Sequence, residues 1–370
     1  MIINKFIWAM AVFSAILALV IGSGFTALEY VKEPPAAPYA VSAPKTAGVK
    51  PRRILPERNP PCCRLTVQTP RPFQTPAMRT DRIRLTESSR YRFHHRGRRH
   101  KVRCLTKAVR RKNVQTTKIC YAFRTPSAYG QYLADAGFDY LSLANNHSNG
   151  FGAQGITATA GNLDELNIKY SGIENRFETA ILKKNGVRYG FVSFAPNLAA
   201  VKLNDYAKFK KLIRKTKQKT DIVIVMFHGG AEGKQAEHLP FDTEIFYGEN
   251  RGNVVEFARL AVDSGADVVF GQGAHVTRAV ELYHDRFISY SGGNFATYGI
   301  SGIAPIFKII TDKQGRFVSG NIIPITQVGD KIPKIDPEKT VIERIIYLNH
   351  SDFPNGNGLD VSPGGDITRR

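Results

Sequence analysis

Paired C-x-x-C elements are missing from this chain of 370 residues. Its four cysteines, Cys62, Cys63, Cys104 and Cys120, do not fall at metal-finger spacing, and His94, His95 and His100 between them do not repair it, which excludes a zinc module of the usual kind. In an exported chain a disulfide such as Cys104 with Cys120 is chemically allowed, yet the spacing assigns no pairing. No internal repeat is apparent. Acidic residues are scarce in one place above all: residues 51–118 hold 20 Lys and Arg against three Asp and Glu, and so carry most of the formal charge of +21. That segment also lacks helical or strand period, and it is expected to be of low order because nothing in it offsets the entropy of ordering. Its Arg90 to Arg99 tract interleaves charge with aromatics, as binders of nucleic acid or anionic polymers do. No nucleic-acid fold signature accompanies the tract, and the start of the chain argues for export, so no nucleic-acid partner is expected.

What the start does have is Lys5 followed by a charge-free apolar run, Phe6 to Ile21, and then Gly22, Ser23 and Gly24. A basic residue, an apolar stretch and a small-residue exit form the pattern of a secretory signal. The run is slightly short of the roughly 20 residues a spanning helix needs, although Phe25 to Leu28 would extend it. Residues 1–30 are therefore expected to be a signal peptide or a membrane anchor, and the protein to be exported to the periplasm or cell surface. Residues 31–50, with Pro34, Pro35, Pro38 and Pro44, read as a linker. Residues 119–350 read as one globular domain, and the Gly-, Asp- and Pro-rich residues 351–370 as a flexible tail.

Within the domain, apolar strands alternate with helix-like segments and end repeatedly in polar groups. The first runs D-Y-L-S-L-A-N-N-H, ending in Asn145, Asn146 and His147; the second, D-I-V-I-V-M-F-H-G-G, ends in His228; the third, A-D-V-V-F-G-Q-G-A-H, ends in Gln272 and His275. Buried strands deliver ligand groups at their carboxyl ends in open α/β sheets, so these residues are expected to meet at one rim. One such histidine is more often structural. Three on separate strands point to a metal, for which neutral imidazole is the commonest protein ligand. A fourth strand leads into Ser291-Gly292-Gly293-Asn294, where Asn294 is placed to hydrogen-bond substrate. The long connection from Gly229 to Gly248 offers Glu232, His238, Asp242 and Glu244 as further ligands, against the plainer reading of a solvated acidic loop.

The A-N-N-H, F-H-G-G, G-x-G-A-H-V and Y-S-G-G-N-F motifs, in that order, resemble the bacterial capsule-synthesis CapA family. That family is associated with poly-gamma-glutamate synthesis and is related in fold to calcineurin-like metallophosphatases. The resemblance implies an α/β fold with two sheets packed as a sandwich between helices, a four-layer α/β/β/α arrangement. It implies that Asn146, His228 and His275 ligate divalent metal (Mn, Fe or Zn), that His147 stabilises charge on the substrate, and that Asn145, Gln272, Asn294 and Glu232 line the substrate site. The family pattern has a histidine where this chain has Gln272, a weaker ligand, which argues against full occupancy of a two-metal centre. The Gly-Asp strand, which supplies a bridging aspartate, and the G-N-L-E motif expected before Ile119 are absent. Residues 51–118 stand in their place, either as a shifted reading frame or as a basic insertion.

Three readings follow. The chain is an exported capsule or poly-gamma-glutamate synthesis protein with an incomplete metallophosphatase-like site; or it is an active metal-dependent hydrolase of a phosphoester or polyglutamate amide; or it is a non-catalytic assembly factor that holds polymer. The expected partners are an anionic capsule polymer or its synthesis machinery, with the membrane engaged through the N-terminal segment.

Overall fold

Asn185 and Gly186 both hold left-handed backbone, with φ of 52° and 79°. Two successive residues in that region make the hairpin turn whose twist matches the strands it joins. They close the antiparallel pair Thr179–Lys184 and Val187–Phe194, as Asn-Gly predicts. In the computed structural model this hairpin edges a six-stranded sheet ordered Val280–Tyr283, Arg286–Ser289, Val268–Gln272, Ile222–His228, Val187–Phe194, Thr179–Lys184. The four inner strands run parallel and the two outer ones antiparallel. The structure describes residues 123, 125–295, 302–327 and 333–370, with the backbone of four short strands nearer the N-terminus.

Every residue of Ile222–His228 is buried, as expected of a parallel strand covered on both faces. Val223, Val225 and Phe227 pack with Phe209 and Ile213 of helix Tyr206–Lys217 and with Phe257 of helix Val254–Asp263. Ile222, Ile224 and Met226, on the opposite face, join Phe307, Ile309 and Ile322 of a second sheet. The alternation separates the two cores because successive side chains leave a strand on opposite sides. Asp205 and Asn253 start those helices, each accepting the amide three residues on at 3.0 Å.

The second sheet is built on the antiparallel pair Ile303–Thr311 and Phe317–Thr326. Phe307 sets its ring 5.5 Å from that of Phe287 across the two sheets. Helix Thr340–Asp352 packs on both strands of this pair. The domain is thus an α/β fold of two face-packed sheets with helices against them, as expected.

Three features differ from the sequence reading. Residues 354–370 are not a flexible tail: Leu359–Val361 and Asp366–Arg369 form a hairpin in the second sheet, with Ile367 fully buried. The glycines there serve turns, Asp360 and Asp366 lie within the strands, and the apolar Leu359, Val361 and Ile367 supply the inward face. Strand Val280–Tyr283 and helix Thr340–Asp352 also went unread in the sequence. Within the expected leader, Asn4–Ile7 pairs with Ile303–Thr311 and Leu17–Leu19 with Tyr140–Ser142. Among the described residues no helix is long and apolar enough to cross a membrane. The linker and the basic segment lie outside the described residues, save the backbone ladder His94–His95 with Arg98–Arg99.

Candidate functional site

Strand Tyr140–Ser142 is parallel to Lys169–Ser171 and locked to its neighbours by one phenol. Tyr140 stacks on Phe191 at 4.1 Å, and its hydroxyl lies 2.6 Å from both Ser171 Oγ and Ser193 Oγ. Burial pushes this phenol up to about 12. Beyond the strand the chain turns through Asn145, whose Oδ1 accepts the His147 amide at 2.8 Å, while the Ser148 hydroxyl bonds back to Leu143 O. Asn145 therefore uses its side-chain oxygen in building the loop. Asn146 follows with its Oδ1 buried and without a partner. The His147 and Phe123 rings stand at 88° to each other with centroids 4.6 Å apart.

His228 ends its strand directly opposite Gln272 in the parallel ladder. The Gly229 amide donates to Gln272 O at 2.8 Å, continuing the pairing past the strand end. Gly273 has φ of 107°, and a side chain there would come within 2.8 Å of Gly229 N and 3.1 Å of His228 Cδ2. Only glycine lets this turn lie against the imidazole. The His228 ring is held well below its ordinary pKa, first by burial and then by the positive charge of Arg251 and by His275 and His147. It is neutral, and its Nε2 is buried with no hydrogen-bond partner. His275 and His147 are therefore each close enough to His228 to act on it electrostatically.

His275 holds left-handed backbone at φ of 56°, an uncommon state for a residue with a side chain. Asn294 fixes it there. Its Nδ2 donates to His275 O at 2.7 Å, which turns its Oδ1 toward the ring, where Nδ1 donates at 2.8 Å. This tautomer leaves Nε2 as the accepting nitrogen, the way a ligating histidine is set by the group behind it. Both ends of the Asn294 amide, a group expected at the substrate site, are engaged by His275.

The connection after Gly229 is not a solvated acidic loop throughout. Glu244 is buried against the fully buried Arg278, with Nη1 to Oε1 at 2.8 Å and Nη2 to Oε2 at 2.6 Å. His238 pairs with Asp352 at 2.7 Å, and Asp242 accepts the Thr243 amide. Glu232 receives Arg251 Nη2 at 2.9 Å. Arg251 was missed in the sequence, where it sits in Glu249-Asn250-Arg251-Gly252 with nothing to mark it; only the hairpin of Glu244–Phe246 with Glu249–Gly252 brings it to the site.

Asn146 Oδ1 and His228 Nε2 are buried polar atoms without partners, and His275 presents its accepting nitrogen from an oriented ring. These donors fit one transition-metal ion, since all are neutral lone-pair donors of types such ions accept. Among the described residues no group of three or more His, Cys, Asp or Glu is arranged to hold a metal, and the three donors named here include no carboxylate.

The family model for the bacterial capsule synthesis protein PGA_cap matches residues 105–298. The chain belongs to that family. The match opens inside the basic segment, ahead of the start at Ile119 read from the motifs. The PGA biosynthesis protein CapA of Bacillus subtilis (strain 168) is 32% identical over 178 residues, 44% of this chain and 43% of that protein. The capsule biosynthesis protein CapA of Bacillus anthracis is 27% identical over 181 residues, 44% of this chain and 41% of the relative. The aligned region thus spans less than half the length of either relative. Among solved structures, a novel phosphatase of Mycoplasma pneumoniae superposes at TM-score 0.40 with 14% identity, over 60% of this chain and 80% of its own. A hypothetical protein from Thermus thermophilus does so at 0.38 with 15% identity, over 54% and 81%.

Proposed function

We propose that this PGA_cap family member serves capsule or poly-gamma-glutamate synthesis in the cell envelope, through a single-metal site that is incomplete as a two-metal hydrolase centre. The observation that carries this reading is the pair of buried, partnerless polar atoms Asn146 Oδ1 and His228 Nε2, together with His275 set in an accepting tautomer by Asn294. A buried acceptor without a partner costs about 1–3 kcal/mol. Two such acceptors, one in the loop after Tyr140–Ser142 and one at the end of Ile222–His228, are accounted for by a cation that they receive together with the oriented imidazole of His275.

In this reading Asn146, His228 and His275 hold a divalent ion, Mn, Fe or Zn. When bound, such an ion supplies Lewis-acid polarisation of an ester or amide oxygen. Burial keeps His228 unprotonated and able to donate its lone pair. His147, its main chain fixed by Asn145, stabilises negative charge on the substrate. Gln272, opposite His228, adds an amide where a further imidazole would complete a second metal position. The substrate is an anionic polymer of the envelope or a precursor of it, and the N-terminal apolar block directs export.

Complementation tests the reading. In a capsulated host lacking its own family member, the intact chain is expected to restore capsule, and the H228A/H275A variant to fail while accumulating to the same level. Restoration by that variant equal to that of the unaltered chain would remove the site from the function.

A further inference from the structure

Arg251 is buried, with its side chain only 6% exposed, and its guanidinium is incompletely matched. Nη2 donates to Glu232 Oε1 at 2.9 Å. Nε lies 2.7 Å from Glu249 Oε2 as an ion pair without hydrogen-bond alignment. Nη1 is buried and has no partner. The group is held in place from several directions: its own carbonyl accepts the Gly230 amide at 3.0 Å, two residues beyond His228, and its guanidinium lies 5.6 Å from the Phe246 ring centroid. Glu249 is in turn tied to Asn197 Nδ2 at 2.5 Å.

A guanidinium orients its donors as a rigid fork suited to carboxylate and phosphoryl oxygens. Leaving one arm buried and empty is costly unless something else fills it. Arg251 is held beside His228 by the bond from the Gly230 amide to its carbonyl, and its buried, unpartnered Nη1 donor calls for an oxygen acceptor there.

We propose that Arg251 is the residue that grips a substrate oxyanion at the His228 site, its Nη1 arm donating to a carboxylate or phosphoryl oxygen while Glu232 and Glu249 hold the rest of the fork in place. The inference rests on reading the His228 site as the functional one and adds the chemical class of the bound group.

Isothermal titration of the full-length chain with inorganic phosphate and, separately, with gamma-glutamylglutamate tests it. At least one probe is expected to bind, and R251Q to bind it about tenfold more weakly or worse, the loss of one charge-assisted hydrogen bond. R251K, which keeps the charge and loses the fork, is expected to fall between the two, and it carries the test should R251Q fail to fold. Phosphate binding alone identifies a phosphoryl group, and dipeptide binding alone a carboxylate. Failure of both probes to bind the unaltered chain, or binding by R251K and R251Q equal to that of the unaltered chain, would overturn the inference. Equal binding by those variants, with metal still lost on substitution of His228, would overturn it while leaving the proposed function standing.

Discussion

Asn294 engages His275 at two points, its amide nitrogen donating to the histidine carbonyl at 2.7 Å and its amide oxygen receiving the ring Nδ1 proton at 2.8 Å. The contact fixes both the tautomer and the left-handed backbone of a residue that would otherwise avoid it. Replacement of Asn294 by Leu keeps the volume and removes both bonds. Metal affinity, measured by competition with a chromophoric chelator, is expected to fall about 10–100-fold, the range found for lost orienting partners of metal-ligating histidines. Unchanged affinity would mean that His275 does not ligate.

A second prediction concerns Tyr140. Its folded pKa is raised to about 12 by burial, against about 10 in the unfolded chain. Below pH 10 both states keep the proton and the group's contribution is fully present. Between pH 10 and 12 the unfolded chain ionises first, so stability is lost as pH rises, at about 1.4 kcal/mol per pH unit from this one group. Denaturant unfolding at a series of alkaline pH values is expected to show this decline. The Y140F variant should lose about 1–2 kcal/mol at neutral pH, because Ser171 and Ser193 each lose a partner, and should decline less steeply above pH 10. Equal slopes would refute the assignment.

The buried pair of Arg278 and Glu244 gives a third. R278M leaves the carboxylate buried without its cation and is expected to destabilise the domain by about 3–5 kcal/mol, read from the urea midpoint. A loss below about 1 kcal/mol, the level of a surface pair, would place this pair in solvent.

The C-terminal hairpin gives a fourth. A chain ending at Asn355 removes the buried Leu359 and Ile367, each contributing about 1.5–3 kcal/mol. Its melting temperature should drop markedly, whereas a flexible tail could be removed without effect.

The inner strands were legible because burial on both faces writes itself as unbroken apolar runs, as in Ile222–His228, and the Asn185-Gly186 turn because few other sequences adopt it. His147, His228 and His275 stood out for the same reason: each interrupts such a run. The C-terminal strands did not, since Leu359–Val361 and Asp366–Arg369 are short, lie among glycines, and are buried by tertiary contacts that no local period reveals. Arg251 was hidden because its burial depends on a hairpin folding it back beside His228, a non-local event. The contact of Asn294 with His275 was not legible for a similar reason: the two are 19 residues apart.

One ion held by Asn146, His228 and His275 is the centre of the proposed site. The most direct test is the metal content of the purified full-length chain by inductively coupled plasma mass spectrometry, after equilibration with Mn, Fe or Zn and removal of free ion. The account predicts about one ion per chain, as its single set of neutral donors allows, with loss of that ion in H228A and in H275A. Two ions per chain, or one ion that survives both substitutions, would contradict it.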